Sequence, residues 1–495
     1  MSVMDSFIFF IVVALIHCAL FFFDTLFKSC SHYPYLYFLE NTGLQVEAFR
    51  LRWFTTAFNR SLQKCGSWRP KLLDLWFTLG TRCSLALLPV AVYIVVKTAL
   101  NAWQKSTGTG DENPSLVLEP MVPGVNLPIS DIGYYVATLV ICSVVHELGH
   151  AIAAVREDVH VDGIGLIVVF IIPVMYVHLN TQQYDSLPPK RQLRVTCAGV
   201  WHNVVLTAAA VLLLILLPVF LYPFYDTGTG VIVQNIQQDS PVMGPSGLQT
   251  GDKVLALNQC QVKDSDAWYH CIVSAVKHAS PGYCVSSELV KEHDESVAAK
   301  ELPGGAIECC GANSPDHLCF EYLDTEEKMP ELPQHTCLPG RIVMETTDEM
   351  CVAANDCSVG LHCLKPSLDN HTRLVRIKRA NGKLVIFLGH PSEVYHTVQV
   401  SDFVPLYPFI PSAVPDVIAQ MCRYLAVFSA GLAIINIIPC FYFDGHYIIQ
   451  AVSNILLAGK FKHKSVRTAI ALCITICGTV FVFGNLLSII LSAVF

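Results

Sequence analysis

The chain has 495 residues, of which 53% are hydrophobic and only 15% charged; its mean hydropathy is +0.47. Soluble proteins carry nearer a quarter charged residues, so a wholly soluble globular protein is excluded and a polytopic membrane protein with at least one sizeable polar domain is predicted. A net charge of −8 leaves no basic surplus, and nucleic acid is not expected as a partner.

Six apolar segments are candidate spans, at about 6–26, 78–100, 131–154, 193–222, 417–440 and 467–494. Each is long enough to cross ~30 Å of hydrocarbon. The first lacks a clear small-residue cleavage site and reads as a retained signal-anchor helix. The loop 28–74 is basic (Lys28, Arg50, Arg52, Arg60, Lys64, Arg69, Lys71), which points to the cytosol, yet Asn59-Arg60-Ser61 is a possible glycosylation sequon. The linker 101–130 is short and has no long serine tract. Residues 1–130 are expected to form N-terminal membrane helices and linker. Residues 131–222 would form the first part of a membrane core, 223–416 a polar domain, and 417–495 the rest of the core.

The third span carries His146-Glu147-Leu148-Gly149-His150. On a helix, positions i and i+4 share a face, so both imidazoles can reach one metal ion, with Glu147 placed to take a proton from a bound water. The bland alternative is two buried histidines satisfied by neighbouring carbonyls. Ionisable groups in hydrocarbon are costly, however, and mark functional sites by default. The shorter apolar stretch Gly163–Val177, with Gly165 and Pro173, reads as a re-entrant or hairpin element packed on that helix. In the next span, Ala198 and Gly199 permit close helix packing, and Asn203 can bond a substrate backbone or simply bridge two helices. His202 reads as structural.

Ten of the 20 cysteines fall between Cys260 and Cys363, an even and dense set that argues for disulfides in an oxidising compartment; a second zinc site is the alternative, but paired CxxC knuckles are missing. Asn370-His371-Thr372 is a glycosylation sequon in the same region, consistent with a lumenal face. Val231–Ile236 and Gly251–Asn258 read as strand and turn patterns resembling a PDZ fold, resumed only at Thr372–Arg379 and Lys383–Leu388 around an Asn381-Gly382 hairpin turn. The block of roughly 260–370 is therefore expected to be a cysteine-rich insertion in a PDZ-like domain, which either gates the site or is a small β domain without a ligand.

With 223–416 lumenal, the basic loops around Lys190–Arg194 and Lys460–Arg467 face the cytosol, and the histidine pair lies towards that side. A catalytic zinc needs a third protein ligand, and Asp444 is the best candidate, because Pro439 and Gly445 break the helix at the matching depth. The alternative is a helix-end charge at the interface. His446 lies close enough to support a ligand.

The HExxH helix, the Ala198-Gly199…Asn203 helix and the Asn436…Pro439…Asp444-Gly445 segment together resemble the site-2 protease family of intramembrane zinc metalloproteases, and the interrupted polar domain resembles its animal members. That resemblance implies one zinc ion on His146, His150 and Asp444, Glu147 and Asn203 in catalysis, and Asn436 and Gly199 contacting substrate or supporting the ligands. It also implies Golgi or endoplasmic reticulum membranes. The substrates it implies are single-pass or hairpin membrane proteins, namely transcription factors of the sterol regulatory element-binding and stress-response kinds. These are first cut in the lumen by a serine protease. Phe443 departs from the leucine the family commonly has before Asp-Gly, apolar for apolar. A zinc transporter would not need Glu147 inside the motif, and a catalytically dead scaffold would have lost a ligand.

Overall fold

A computed structural model describes residues 3–106, 128–302, 305–311, 316–323, 334–347 and 349–494. Most of the 101–130 linker therefore lies outside the described residues. The chain divides into two compact units, Met1–Ile215 with Ala419–Phe495, and Leu216–Ile418.

The first unit begins with helix α1 (Val3–Ser29), strands β1 (Leu44–Glu47) and β2 (Arg50–Thr55), and helices α2 (Asn59–Ser67) and α3 (Pro70–Ser106). Helix α4 (Ile132–Arg156), strands β3 (Val161–Val169) and β4 (Ile172–Leu179) and helix α5 (Pro189–Leu221) follow. The stretch expected as a re-entrant or hairpin element is thus the β3–β4 hairpin. Its Met175 and Val177 pack against the same buried cluster as Leu148, Ile152 and Val155 of α4. The basic 28–74 loop holds two strands that charge counting hid. Arg50 and Arg52 alternate with Leu51 and Trp53, the period-2 pattern of a half-buried strand, and β2 pairs with β3 from Arg50↔Val169 to Thr55↔Ile164. The sheet runs β1-β2-β3-β4, all antiparallel, which leaves β4 at an edge among the described residues.

The second unit holds β5 (Val231–Ile236), β6 (Lys253–Leu257), α6 (Ser265–Lys277), β7 (Gly282–Ser286), β8 (His317–Tyr322), β9 (His335–Pro339) and β10 (Leu361–Pro366). It continues with β11 (Arg373–Arg379), β12 (Leu384–Gly389), α7 (Pro391–Thr397) and β13 (Val398–Ser401). One antiparallel sheet has the order β12-β11-β6-β5-β13, and a second has β9-β8-β10-β7 with Met350–Cys351 added beside β7. Asn381-Gly382 makes the β11–β12 turn, with Gly382 at φ +77.

The excursion into the second sheet starts later than residue 260. Helix α6 buries Trp268, Cys271 and Ile272 in the core of the first sheet, beside Val231, Leu257 and Phe387, and the Cys260–Cys271 disulfide ties it there. An apolar helix face goes where it can be buried, so the excursion runs from Gly282 to Pro366, around its own core of Tyr283, Phe320, Leu338 and Leu364. All ten cysteines of the region pair: 260–271, 284–357, 309–319, 310–337 and 351–363. Pairing is the reading that prevails over a second metal site, although Cys284, Cys351 and Cys357 lie close together.

The chain closes with α8 (Val414–Ile437), α9 (Asp444–Leu456) and α10 (Lys464–Val494), back in the first unit. Among the described residues six helices, α1, α3, α4, α5, α8 and α10, are long and apolar enough to cross a membrane. The protein is a polytopic α-helical membrane protein with a disulfide-bonded antiparallel β region.

Candidate metal centre

Helix α4 supplies two imidazoles from one face, in its second half. His146 and His150 are 6% and 7% exposed, inside a helix that carries no charged residue from Val136 to Val145. Asp444 comes from 294 residues further along. The chain reaches it through Pro439, which ends the α8 helix region, and through Tyr442, which adopts φ +71. Gly445 is required at the bend, because a Cβ there would sit 2.0 Å from the Ile438 carbonyl oxygen. Gly478 does the same from α10, where a Cβ would meet the Pro439 oxygen at 2.0 Å. Asp444 is then the first residue of α9, where the helix dipole favours a carboxylate.

The three ligand atoms form a nearly equilateral triangle. His146 Nε2 to Asp444 Oδ2, His150 Nε2 to Asp444 Oδ2 and His150 Nε2 to His146 Nε2 are each 3.1 Å. Tetrahedral ligands at zinc, with bonds of ~2.0–2.1 Å, stand about 3.3 Å apart. The donor set, two imidazoles and one carboxylate, suits that ion and leaves a fourth position for water. Gly199 on α5 makes the room: a Cβ there would lie 2.3 Å from His150 Nε2 and 2.6 Å from His146 Nε2, inside the space a metal needs.

The imidazoles are also held from behind. His150 Nδ1 lies 2.8 Å from the Val195 carbonyl oxygen, which can only accept, so Nδ1 carries the proton and Nε2 presents its lone pair. Asn203, fully buried, places its amide 3.2 Å from His146 Nδ1, and its other amide atom, Oδ1, is buried without a partner. The two ends of an amide have the same shape. With the oxygen turned to His146, it accepts from Nδ1–H and frees Nε2 for a metal. Asn203 thus lies behind a ligand, not on a surface that a substrate could touch. Asn436 is half-buried in the last turn of α8, and its amide enters none of these contacts.

Glu147, next to His146 on α4, is anchored to the neighbouring strand. Its Oε2 accepts a hydrogen bond of 3.0 Å from the Val177 amide of β4. His202 donates from Nδ1 to the Ala198 carbonyl at 2.7 Å, packs against Trp76 and Phe77 and faces Gly149, a helix-packing role. His446 contacts Thr475 and is not a ligand in this cluster.

Just past the centre is a belt of charge. Arg194 Nη1 bridges Asp74 at 2.6 Å and Glu157 at 2.9 Å, and Arg191 Nε reaches Glu157 at 3.2 Å. It joins the ends of α3, α4 and α5, with Glu157 about 10–11 Å along α4 from His150. Sequence reasoning found neither this belt nor the Val195 and Asn203 contacts, since each joins helices with no shared periodicity.

A family description for "Peptidase family M50" matches residues 134–477. A protein of Arabidopsis thaliana described as "Membrane-bound transcription factor site-2 protease homolog" is 25% identical over 442 residues, which cover 80% of this chain and 83% of that protein.

Proposed function

The chain belongs to peptidase family M50, and we propose that it holds one zinc ion on His146, His150 and Asp444 and uses it to cut a peptide bond within a membrane-spanning segment of its substrate. That it is a membrane-embedded metallopeptidase related to site-2 protease follows from the family. The observation that carries the proposed site is the triangle of 3.1 Å separations beside Glu147.

When bound, zinc would acidify a water towards neutral pH and draw electron density from the scissile carbonyl. The chain supplies the rest. The Glu147 carboxylate takes the water's proton and later delivers it to the leaving amine. The Val177 amide steadies that carboxylate between the two transfers. The Val195 carbonyl and Asn203 fix the rings of the two histidines. A helical substrate must unwind first, because its carbonyls are engaged in intrahelical bonds. The outer edge of β4, next to Glu147, offers backbone groups to an extended segment.

The substrates we propose are membrane-anchored transcription factors of the sterol-responsive and stress-responsive kinds, already cut once on the lumenal side. The relative's name supports this reading. So does a disulfide-bonded unit suited to the lumen of the Golgi or endoplasmic reticulum. Cleavage near the cytosolic face would free the cytosolic domain. The test uses the full chain in membranes with an anchored reporter. Glu147→Gln should lower cleavage at least about a hundredfold while zinc remains at one per chain. Full activity in that variant would reject the scheme.

A further inference from the structure

The family match begins at residue 134, yet the hairpin that steadies Glu147 is gripped by residues far upstream of it. At the base of the hairpin, Asn59 of α2 donates from Nδ2 to the carbonyls of Val161 at 3.1 Å and Asp162 at 3.0 Å. Ile164, two residues on, is the cross-strand partner of Val177, whose amide bonds Glu147. Helix α2 is itself seated on α4. Leu62 is buried, and a Cβ on Gly66 would meet Val155 at 2.5 Å.

At the tip, Phe170 turns the chain with φ +59, and Phe49 turns the β1–β2 hairpin with φ +56. Their rings stack 5.7 Å apart, and the Phe170 amide donates to the Phe49 carbonyl. His17 of α1 closes this cluster. Its ring lies 5.8 Å from that of Phe170, and its Nε2 is 2.8 Å from the Phe170 carbonyl oxygen, to which it must donate. His17 is 6% exposed while its neighbours Leu15 and Ile16 are 63% and 54% exposed. A histidine in an apolar helix, buried against one acceptor, marks a specific role. One turn pair further, Asp24 accepts from Tyr35, and Trp53 Nε1 donates to the Thr42 carbonyl, tying α1 through the segment Tyr33–Thr42 to β2.

We propose that residues 3–67 form part of the catalytic scaffold, with Asn59 and His17 as positioning residues. Together they hold the β3–β4 hairpin at its base and tip, and so fix the Val177 amide against Glu147. The proposal rests on Glu147 as the proton carrier. It also removes Asn59 from the glycosylation candidates, because its amide nitrogen is spent on two backbone acceptors.

The experiment measures kcat and KM per zinc-loaded full-length enzyme in membranes. A misplacement near 1 Å at a reacting group can cost a hundredfold, so Asn59→Ala should lower kcat by about tenfold or more, with KM within about twofold and zinc content intact. His17→Ala should lower kcat less, because the tip is further from Val177, and His17→Gln, which keeps a donor near Nε2, should restore it. Wild-type kcat in both alanine variants, with Glu147→Gln inactive, would overturn the scaffold role alone. An active Glu147→Gln enzyme would instead remove the reading beneath it. If Asn59→Ala does not accumulate as folded protein, the His17 pair decides: equal kcat for Ala and Gln overturns the proposal, and recovery with Gln supports it.

Discussion

At the scale of single residues, Gly199 is the sharpest point of the site. It offers no chemistry, yet a methyl group there would fall 2.3 Å from His150 Nε2. Gly199→Ala is expected to lower zinc affinity by at least about tenfold while leaving Glu147 and its Val177 contact in place; zinc titration of the purified variant against wild type checks this. An unchanged affinity would mean that α5 shifts freely away from α4. The four residues with the plainest chemistry, His146, Glu147, His150 and Asp444, were legible as sequence because helical spacing and a misplaced charge each leave a local trace. The Val195 carbonyl and the Asn203 contact left none. A carbonyl carries no letter in the sequence, and Asn203 read equally well as a substrate contact.

At the scale of elements, the arrangement depends on three helix ends meeting at the charged belt. Glu157 is almost fully buried and shared by Arg191 and Arg194. Arg194→Ala leaves that carboxylate without its shorter-range partner and leaves Asp74 only the longer contact to Arg156 at 3.7 Å. We expect a loss on the order of 2–3 kcal/mol, seen as a lower unfolding temperature in detergent, with a smaller loss for Arg191→Ala. Spans were easy to read, since 20 apolar residues have few other uses. The β1–β2 strands were not. β1 is only four residues long, and β2 opens on Arg50-Leu51-Arg52, which looks like a basic loop until a partner strand pairs with it. The β3–β4 hairpin was half-legible: its length argued against a crossing, but an apolar run this short does not distinguish strand from helix.

For the molecule as a whole, the disulfides divide the labour of the second unit. Cys284–Cys357 closes a span of 73 residues and Cys260–Cys271 one of 11. On loop-closure entropy the first is worth about 4 kcal/mol and the second about 3 kcal/mol, so Cys284→Ser with Cys357→Ser should destabilise the unit more than the corresponding pair at 260 and 271. Thermal unfolding of the two double variants tests that order. Asn370 is exposed in the turn between β10 and β11, so one glycan is expected, removed by Asn370→Gln and unaffected by Asn59→Gln; the mobility shift on glycosidase treatment reads it. That outcome would also fix which face of the membrane the second unit occupies. The existence of a polar insertion was written in the cysteine count, but its start was not. Helix α6 starts soon after Cys260, at Ser265, and it is burial of Trp268, Cys271 and Ile272 that assigns it to the first core.

The separation of 294 residues between His150 and Asp444 has a consequence for how the enzyme comes into being. Two of the proposed ligands are synthesised before the whole of Leu216–Ile418 and the third after it. A growing chain therefore carries a hydrolase motif that cannot hold its metal in full until the last helices have entered the bilayer. Proteolytic power arrives at the end of biogenesis, when the membrane bundle is already closed around it. A ribosome that stops early leaves behind an inert fragment.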